Sequence, residues 1–227
     1  MRDDTLIVHV RHRKCGTHWF LSIFEDLSRT FDLQLQTSTK NGIDEKTRIV
    51  IGDRSALQGN YIATHMIRDP RDIAVSAYFY HLHRNVSWTE ERKAKIAGKP
   101  KEEGLMAEID DCMHTFRTIA GHDYTDPKVM ELKYEDVILN QDEYFDRIFR
   151  WYGFDGDELK TCMDIARRNS FKAKTGRELG EESKGDHLRK GFPGEWREHF
   201  TDNVKVYFKE KTENLIVDLG YEVNVNW

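Results

Sequence analysis

Residues 5–10 read TLIVHV, a short β-rich run without a regular polar face. Such a run fits a strand buried on both faces. Residues 11–16 are polar and hold the only nearby glycine, Gly16. From Thr17 the spacing changes, because Trp19, Phe20, Ile23, Phe24 and Leu27 recur at helical intervals. A buried strand, a tight glycine loop and an amphipathic helix follow one another at once. That succession restricts the chain to an α/β architecture.

The rest of the sequence repeats the alternation. Apolar runs at 48–51, 61–67 and 128–134 read as further strands. Helical spacing follows Pro70 and recurs at 105–120, 144–152, 158–168 and 203–219, the last capped by Gly220. The expected fold is a single α/β domain over residues 1–227, with a central, mainly parallel sheet flanked by helices. Ligands of such sheets bind at the C-terminal ends of strands. Residues 85–104 are charged and poor in apolar residues, and are expected to form a mobile surface excursion. Residues 172–194, rich in Gly, Lys, Arg and Glu, are expected to form a loop covering a bound cofactor.

Composition removes several classes. With 38% hydrophobic and 33% charged residues, the chain is globular with a very polar surface. A net charge of -5 argues against general nucleic-acid binding. Cys15, Cys112 and Cys162 are widely spaced and form no C-x-x-C, so neither a disulfide framework nor a metal site is expected. The start of the sequence has no apolar core of a signal peptide, and no apolar run nears the ~20 residues that span a bilayer. A cytoplasmic location without membrane contact is expected.

Three basic segments lie where chemistry is expected. The first is Arg13-Lys14-Cys15-Gly16-Thr17-His18-Trp19. A strand running through glycine into a helix N-terminus offers backbone N–H groups and a positive dipole end to an anion. Lys14 adds a charge and Thr17 a hydroxyl donor. This is a P-loop-like element but not a Walker A loop, whose lysine follows the second glycine. The second is Arg68-Asp69-Pro70-Arg71-Asp72-Ile73-Ala74-Val75-Ser76, where Arg68 can fork onto a phosphate and Ser76 can point at the same anion. The third is His187-Leu188-Arg189-Lys190-Gly191-Phe192-Pro193-Gly194-Glu195-Trp196, a clamp of basic residues in a loop. Read singly, each also fits an ordinary turn, with Arg71 paired at the surface and the third segment a solvated charge run.

In this order the segments resemble the cytosolic-type sulfotransferase family. RKCGTHW resembles its 5′-phosphosulfate loop, RDPRDIAVSAY its 3′-phosphate strand–turn–helix, and RKGFPGEW its C-terminal Arg-Lys-Gly loop. LKYED, with Tyr134, and Asn169-Ser170-Phe171 resemble two further family features. The resemblance implies 3′-phosphoadenosine 5′-phosphosulfate (PAPS) as sulfuryl donor and the bisphosphate PAP as product, with no metal. It puts Arg13, Lys14, Cys15, Gly16, Thr17 and His18 around the 5′-phosphosulfate, and Trp19 and Tyr134 beside adenine. Arg68, Ser76, Ser170 with Phe171, Arg189, Lys190 and Gly191 fall to the 3′-phosphate. Tyr80, and after it His81 and His83, would line the pocket of a small-molecule acceptor. Lys14 is the cation expected at the leaving phosphate oxygen.

The sequence departs from the family at three places. His18 replaces a second threonine, and stands as a second catalytic candidate. The family's histidine base follows the strand preceding the one that leads to Arg68; here Ile51-Gly52-Asp53-Arg54-Ser55 offers only Asp53, which fits a base and a turn residue equally. His65, inside the strand three residues before Arg68, reads as a satisfied core histidine. The dimerisation motif is only partly echoed near Phe200 and Thr201, so a monomer or weak homodimer is expected. Two other functions fit the same segments: a P-loop nucleotide kinase, and a PAPS- or PAP-binding protein without transferase activity.

Overall fold

A computed structural model describes residues 5–83, 89–183 and 188–227. Its strands are β1 (Leu6–Val10), β2 (Gln34–Gln36), β3 (Thr47–Gly52), β4 (Tyr61–Ile67) and β5 (Val129–Lys133). Its helices are α1 (Thr17–Phe31), α2 (Pro70–His83), α3 (Glu90–Ile96), α4 (Lys101–Ala120), α5 (Tyr134–Leu139), α6 (Gln141–Trp151), α7 (Gly156–Arg168), α8 (Phe171–Thr175), α9 (Trp196–His199), α10 (Asp202–Thr212) and α11 (Leu215–Asp218). A 3-10 turn spans Arg54–Ala56. Contacts divide the chain into two units, Met1–Ile67 with His122–Glu178, and Arg68–Gly121 with Leu179–Trp227.

The first unit holds the sheet, in the order β2-β3-β1-β4-β5 with every pairing parallel. β1 is central, and Ile7, Val8 and Val10 are buried, as a strand covered on both faces requires. Of the expected apolar stripe of α1, Phe20, Ile23, Phe24 and Leu27 are buried, while Trp19 is half-buried. His9 stacks on Phe20 at 4.0 Å and its Nδ1 hydrogen-bonds Thr64 Oγ1 at 2.9 Å, which satisfies one of the two ring nitrogens inside the core.

The second unit gathers α2, α3, α4, α9, α10 and α11. Its centre is Arg71, 1% exposed and not a surface residue as the sequence suggests. Its guanidinium bonds Asp69 at 2.7 Å and Glu222 at 2.7 Å, and lies over the Trp196 ring at 3.8 Å and the Trp227 ring at 4.4 Å. A buried charge needs this much compensation.

Other differences from expectation are local. β2 carries only QLQ at the sheet edge, too polar and short to read as a strand. Of the supposed excursion at 85–104, residues 85–88 lie outside the described residues, and the remainder holds α3 and the start of α4. Ile96 alone anchors α3 in the interior, at 2% exposure, which explains the missing apolar signal. The closing helix breaks at Glu213, where φ is 51°, into α10 and α11. The expected loop at 172–194 begins inside α8, and its residues 184–187, with His187, lie outside the described ones. No helix among the described residues is long and apolar enough to cross a membrane.

Candidate functional site

In the first unit the 13–19 segment leaves the C-terminal end of β1. Arg11 N donates to Gly52 O at 2.8 Å, holding the end of β1 to that of β3. The chain then reverses through two left-handed residues, Lys14 at φ 66° and Gly16 at φ 74°. A Cβ on Gly16 would stand 2.6 Å from Met66 Cε and 3.4 Å from the Tyr134 ring, so only glycine fits without displacement. Cys15 N and Thr17 Oγ1 both donate to His12 O, at 3.3 and 2.9 Å, and tighten the turn. The Thr17 hydroxyl proton is thus committed to the loop, not directed outward as the sequence suggests.

α1 starts at Gly16 without a side-chain cap and with no acidic residue in its first turn. The helix therefore presents an uncompensated positive end. Cys15 is buried, so its contribution to an anion site is its backbone, while His18 is exposed on the first turn. Trp19 is held edge-on by Phe145 at 5.2 Å and by Tyr134 at 6.4 Å, the latter opening α5 directly after β5. Ser170 caps α8, its Oγ accepting from Ala173 N at 3.1 Å, and Phe171 beside it is buried. Asn169 ties that turn to α1 through Asp26 at 2.8 Å.

In the second unit Arg68, the residue after β4, is 7% exposed, and Ser76 lies half-buried on α2. The Asp72 carboxylate accepts from Gly194 N at 2.6 Å and Trp196 N at 2.9 Å, which fixes the Arg-Lys-Gly loop to α2. Arg189 lies over the Phe79 ring at 4.0 Å and bonds Glu182 and the buried Glu195. Lys190 bonds Glu198 at 3.1 Å and reaches Glu195 at 3.5 Å, with Gly191 next in the loop. Both cations are held in place by carboxylates.

Two expectations are corrected. Asp53 caps the 3-10 turn, accepting from Ser55 N at 2.8 Å, and hydrogen bonds from Ser55 hold its carboxyl below the usual aspartate value. The carboxylate is thus committed to capping the turn. His81 is fully buried and its Nδ1 bonds Glu108 at 2.5 Å, so it serves the contact of α2 with α4 rather than an acceptor. Of the other two pocket candidates, Tyr80 is half-buried and His83 is exposed.

Sequence reasoning also missed a cluster built on β4 and β5 of the first unit. His65 on β4 pairs in register with Glu131 on β5, and His65 Nδ1 lies 2.6 Å from Glu131 Oε2. His65 Nε2 lies 2.7 Å from His12 Nε2, and His122 Nε2 lies 3.1 Å from Glu131 Oε1. Burial holds His65 below the ordinary histidine value, against the pull of Glu131. Burial and the neighbouring His65 and His122 lower His12 to about 3. Burial pushes the Glu131 carboxyl up, but hydrogen bonds from His122 and His65 outweigh it and keep the group below its usual value. The contributing residues are scattered through the sequence; the only signal available was His65, a histidine inside an apolar strand that reads as a core residue.

The family described as "sulfotransferase domain" matches residues 54–220. That span contains Arg68, Ser76, Tyr134, Ser170 and Arg189 but starts beyond the 13–19 loop. A search of curated proteins finds no match. Among solved structures, mouse sulfotransferase SULT7A1 complexed with PAP is 17% identical with a TM-score of 0.57, over 94% of this chain and 85% of that one. Retinol dehydratase with retinol and PAP is 14% identical with a TM-score of 0.58, over 95% and 82%. The same enzyme with androsterone and inactive cofactor PAP is 14% identical with a TM-score of 0.57, over 95% and 81%. At these identities the likeness is one of fold.

Proposed function

The chain belongs to the sulfotransferase family, and from that premise we propose that it transfers the sulfuryl group of PAPS to a hydroxyl or amine of a small-molecule acceptor. One observation carries the reading: a left-handed turn at Lys14 and Gly16 delivers the chain into a helix start that has neither cap nor acid. That arrangement suits a phosphosulfate, and the family gives the anion its identity. The related folds crystallised with PAP, and in one case with retinol or androsterone, support a nucleotide donor and an alcohol acceptor.

In this reading Lys14 and His18, with the backbone of Arg13, Cys15, Gly16 and Thr17, hold the 5′-phosphosulfate. Trp19 and Tyr134 border the adenine. Arg68, Ser76, Ser170, Arg189, Lys190 and Gly191 take the 3′-phosphate, with Phe171 beside Ser170. The acceptor oxygen attacks sulfur in line while the bond from sulfur to the 5′-phosphate oxygen breaks. Charge grows on that leaving oxygen, and a cation positioned there lowers the barrier. Lys14 supplies it. The 3′-phosphate contacts also discriminate against ATP, which has no 3′-phosphate to meet them.

Calorimetry tests the donor. The account expects adenosine 3′,5′-bisphosphate to bind more tightly than ATP with magnesium; tighter ATP would favour a nucleotide kinase instead. A second reading, a PAPS-binding protein without transfer, is favoured by one fact: Asp53, at the family's base position, is taken up in a cap.

A further inference from the structure

Resting on the sulfuryl-transfer reading, we propose that His12 is the catalytic base of the reaction, with His65 and Glu131 behind it as positioning residues. The argument starts at the far end of the chain of contacts. Ionised Glu131 can only accept, so the proton in its 2.6 Å contact sits on His65 Nδ1. A neutral His65 then has a bare Nε2. The 2.7 Å contact between the two Nε2 atoms requires one donor, and it must be His12. The lone pair of neutral His12 is thereby assigned to Nδ1, on the side of the ring away from His65. A carboxylate that fixes a histidine tautomer in this way prepares it for proton transfer.

His12 is also in the right place in the chain. It directly precedes Arg13 and Lys14, and its carbonyl holds both Cys15 N and the Thr17 hydroxyl. The base and the phosphosulfate loop are therefore one piece of backbone. In the step proposed, the acceptor O–H bond breaks and its proton goes to His12 Nδ1. The acceptor oxygen bonds to sulfur, and the electron pair of the broken S–O bond leaves on the 5′-phosphate oxygen beside Lys14. The positive charge passes down the chain as the Nε2 proton of His12 moves to His65 Nε2 and the Nδ1 proton of His65 to Glu131. His12 is neutral before reaction, and because its Nε2 proton passes through His65 to Glu131 it does not have to hold the positive charge afterwards.

His65, His122 and Glu131 also bring ligand-type atoms within 4.8 Å of one another, as a metal site would. However, the His65 and His122 rings stack at 3.6 Å with planes 28° apart. Imidazole lone pairs lie in the ring plane, and rings stacked so closely do not aim them at one ion. Hydrogen bonding to the two oxygens of one carboxylate is the better use of this geometry.

The test compares acceptors of graded acidity, because an acidic phenol needs little help from a base and an aliphatic alcohol needs much. His12→Ala should lower turnover of an aliphatic alcohol by ~100-fold or more, with the loss shrinking toward a nitrophenol. Affinity for adenosine 3′,5′-bisphosphate should stay within about twofold, since the backbone of the loop is kept. His12→Gln keeps a donor toward His65 but no basic nitrogen, and should behave as His12→Ala does; it serves if the alanine variant fails to fold. Glu131→Gln should show a smaller loss with the same trend. Unchanged turnover in both His12 variants, or a loss equal for all acceptors, would overturn the proposal. So would stoichiometric zinc whose removal abolishes turnover, or the acidity trend appearing in Asp53→Asn and not at His12. A wild-type chain that binds the bisphosphate but transfers nothing would overturn both this proposal and the reading beneath it.

Discussion

Replacing Gly16 with alanine perturbs the phosphate loop at its tightest point, and two separable costs follow. The backbone at φ 74° is left-handed, and a Cβ there costs roughly 1–2 kcal/mol. The new methyl would also stand 2.6 Å from Met66 Cε, in a side chain with no exposure. A thioether end can swing, but in a filled core the displacement costs at the low end of the ~1–3 kcal/mol typical of overpacking. Together Gly16→Ala should destabilise the chain by about 2–3 kcal/mol, measured as a fall in the urea midpoint at constant slope. In a Met66→Ala background the contact is gone and only the backbone cost should remain, about 1–2 kcal/mol. The double-mutant cycle then gives a coupling of about 1 kcal/mol. Gly16→Ala costing less than about 0.5 kcal/mol would refute both the strained turn and the close approach.

Two further outcomes follow from the geometry. Glu195→Gln removes the buried charge that holds Arg189 and Lys190, so the preference for adenosine 3′,5′-bisphosphate over adenosine 5′-monophosphate should fall by about tenfold, the scale of a hydrogen bond to a charged group; an unchanged ratio by calorimetry contradicts that role. Burial, with nearby positive charges, lowers His9 and His12 from 6.5 to about 3. The native state thus binds these protons less tightly than the unfolded chain, so stability is full above about pH 6.5 and is lost as the pH falls toward 3, by up to about 1.4 kcal/mol per pH unit for each histidine. A urea midpoint that did not fall between pH 7 and pH 5 would contradict it.

The β1–loop–α1 unit was legible because its signals are local: a dense apolar run, one glycine and a helical stripe in which all but Trp19 are buried. The strand ends after β4 and β5 were legible for the same reason. Long-range compensation was not. Arg71 looks like a surface residue until Glu222 and Trp227, some 150 positions later in the sequence, are brought against it. Asp53 and His81 are ambiguous by type, and only their partners, Ser55 and Glu108, show what each does. The chain from Glu131 through His65 to His12 depends on the register between β4 and β5 and on the end of β1, none of which has a periodic signature. α3 escaped notice because one buried isoleucine is too little pattern to detect.

Transfer of radiolabelled sulfate from PAPS to a panel of phenols, alcohols, amines and sugars tests the central claim most directly. The account predicts labelled product with at least one acceptor, lost when Lys14 is replaced by alanine while the fold is retained. Binding of adenosine 3′,5′-bisphosphate without transfer to any acceptor, or transfer undiminished in Lys14→Ala, would contradict it.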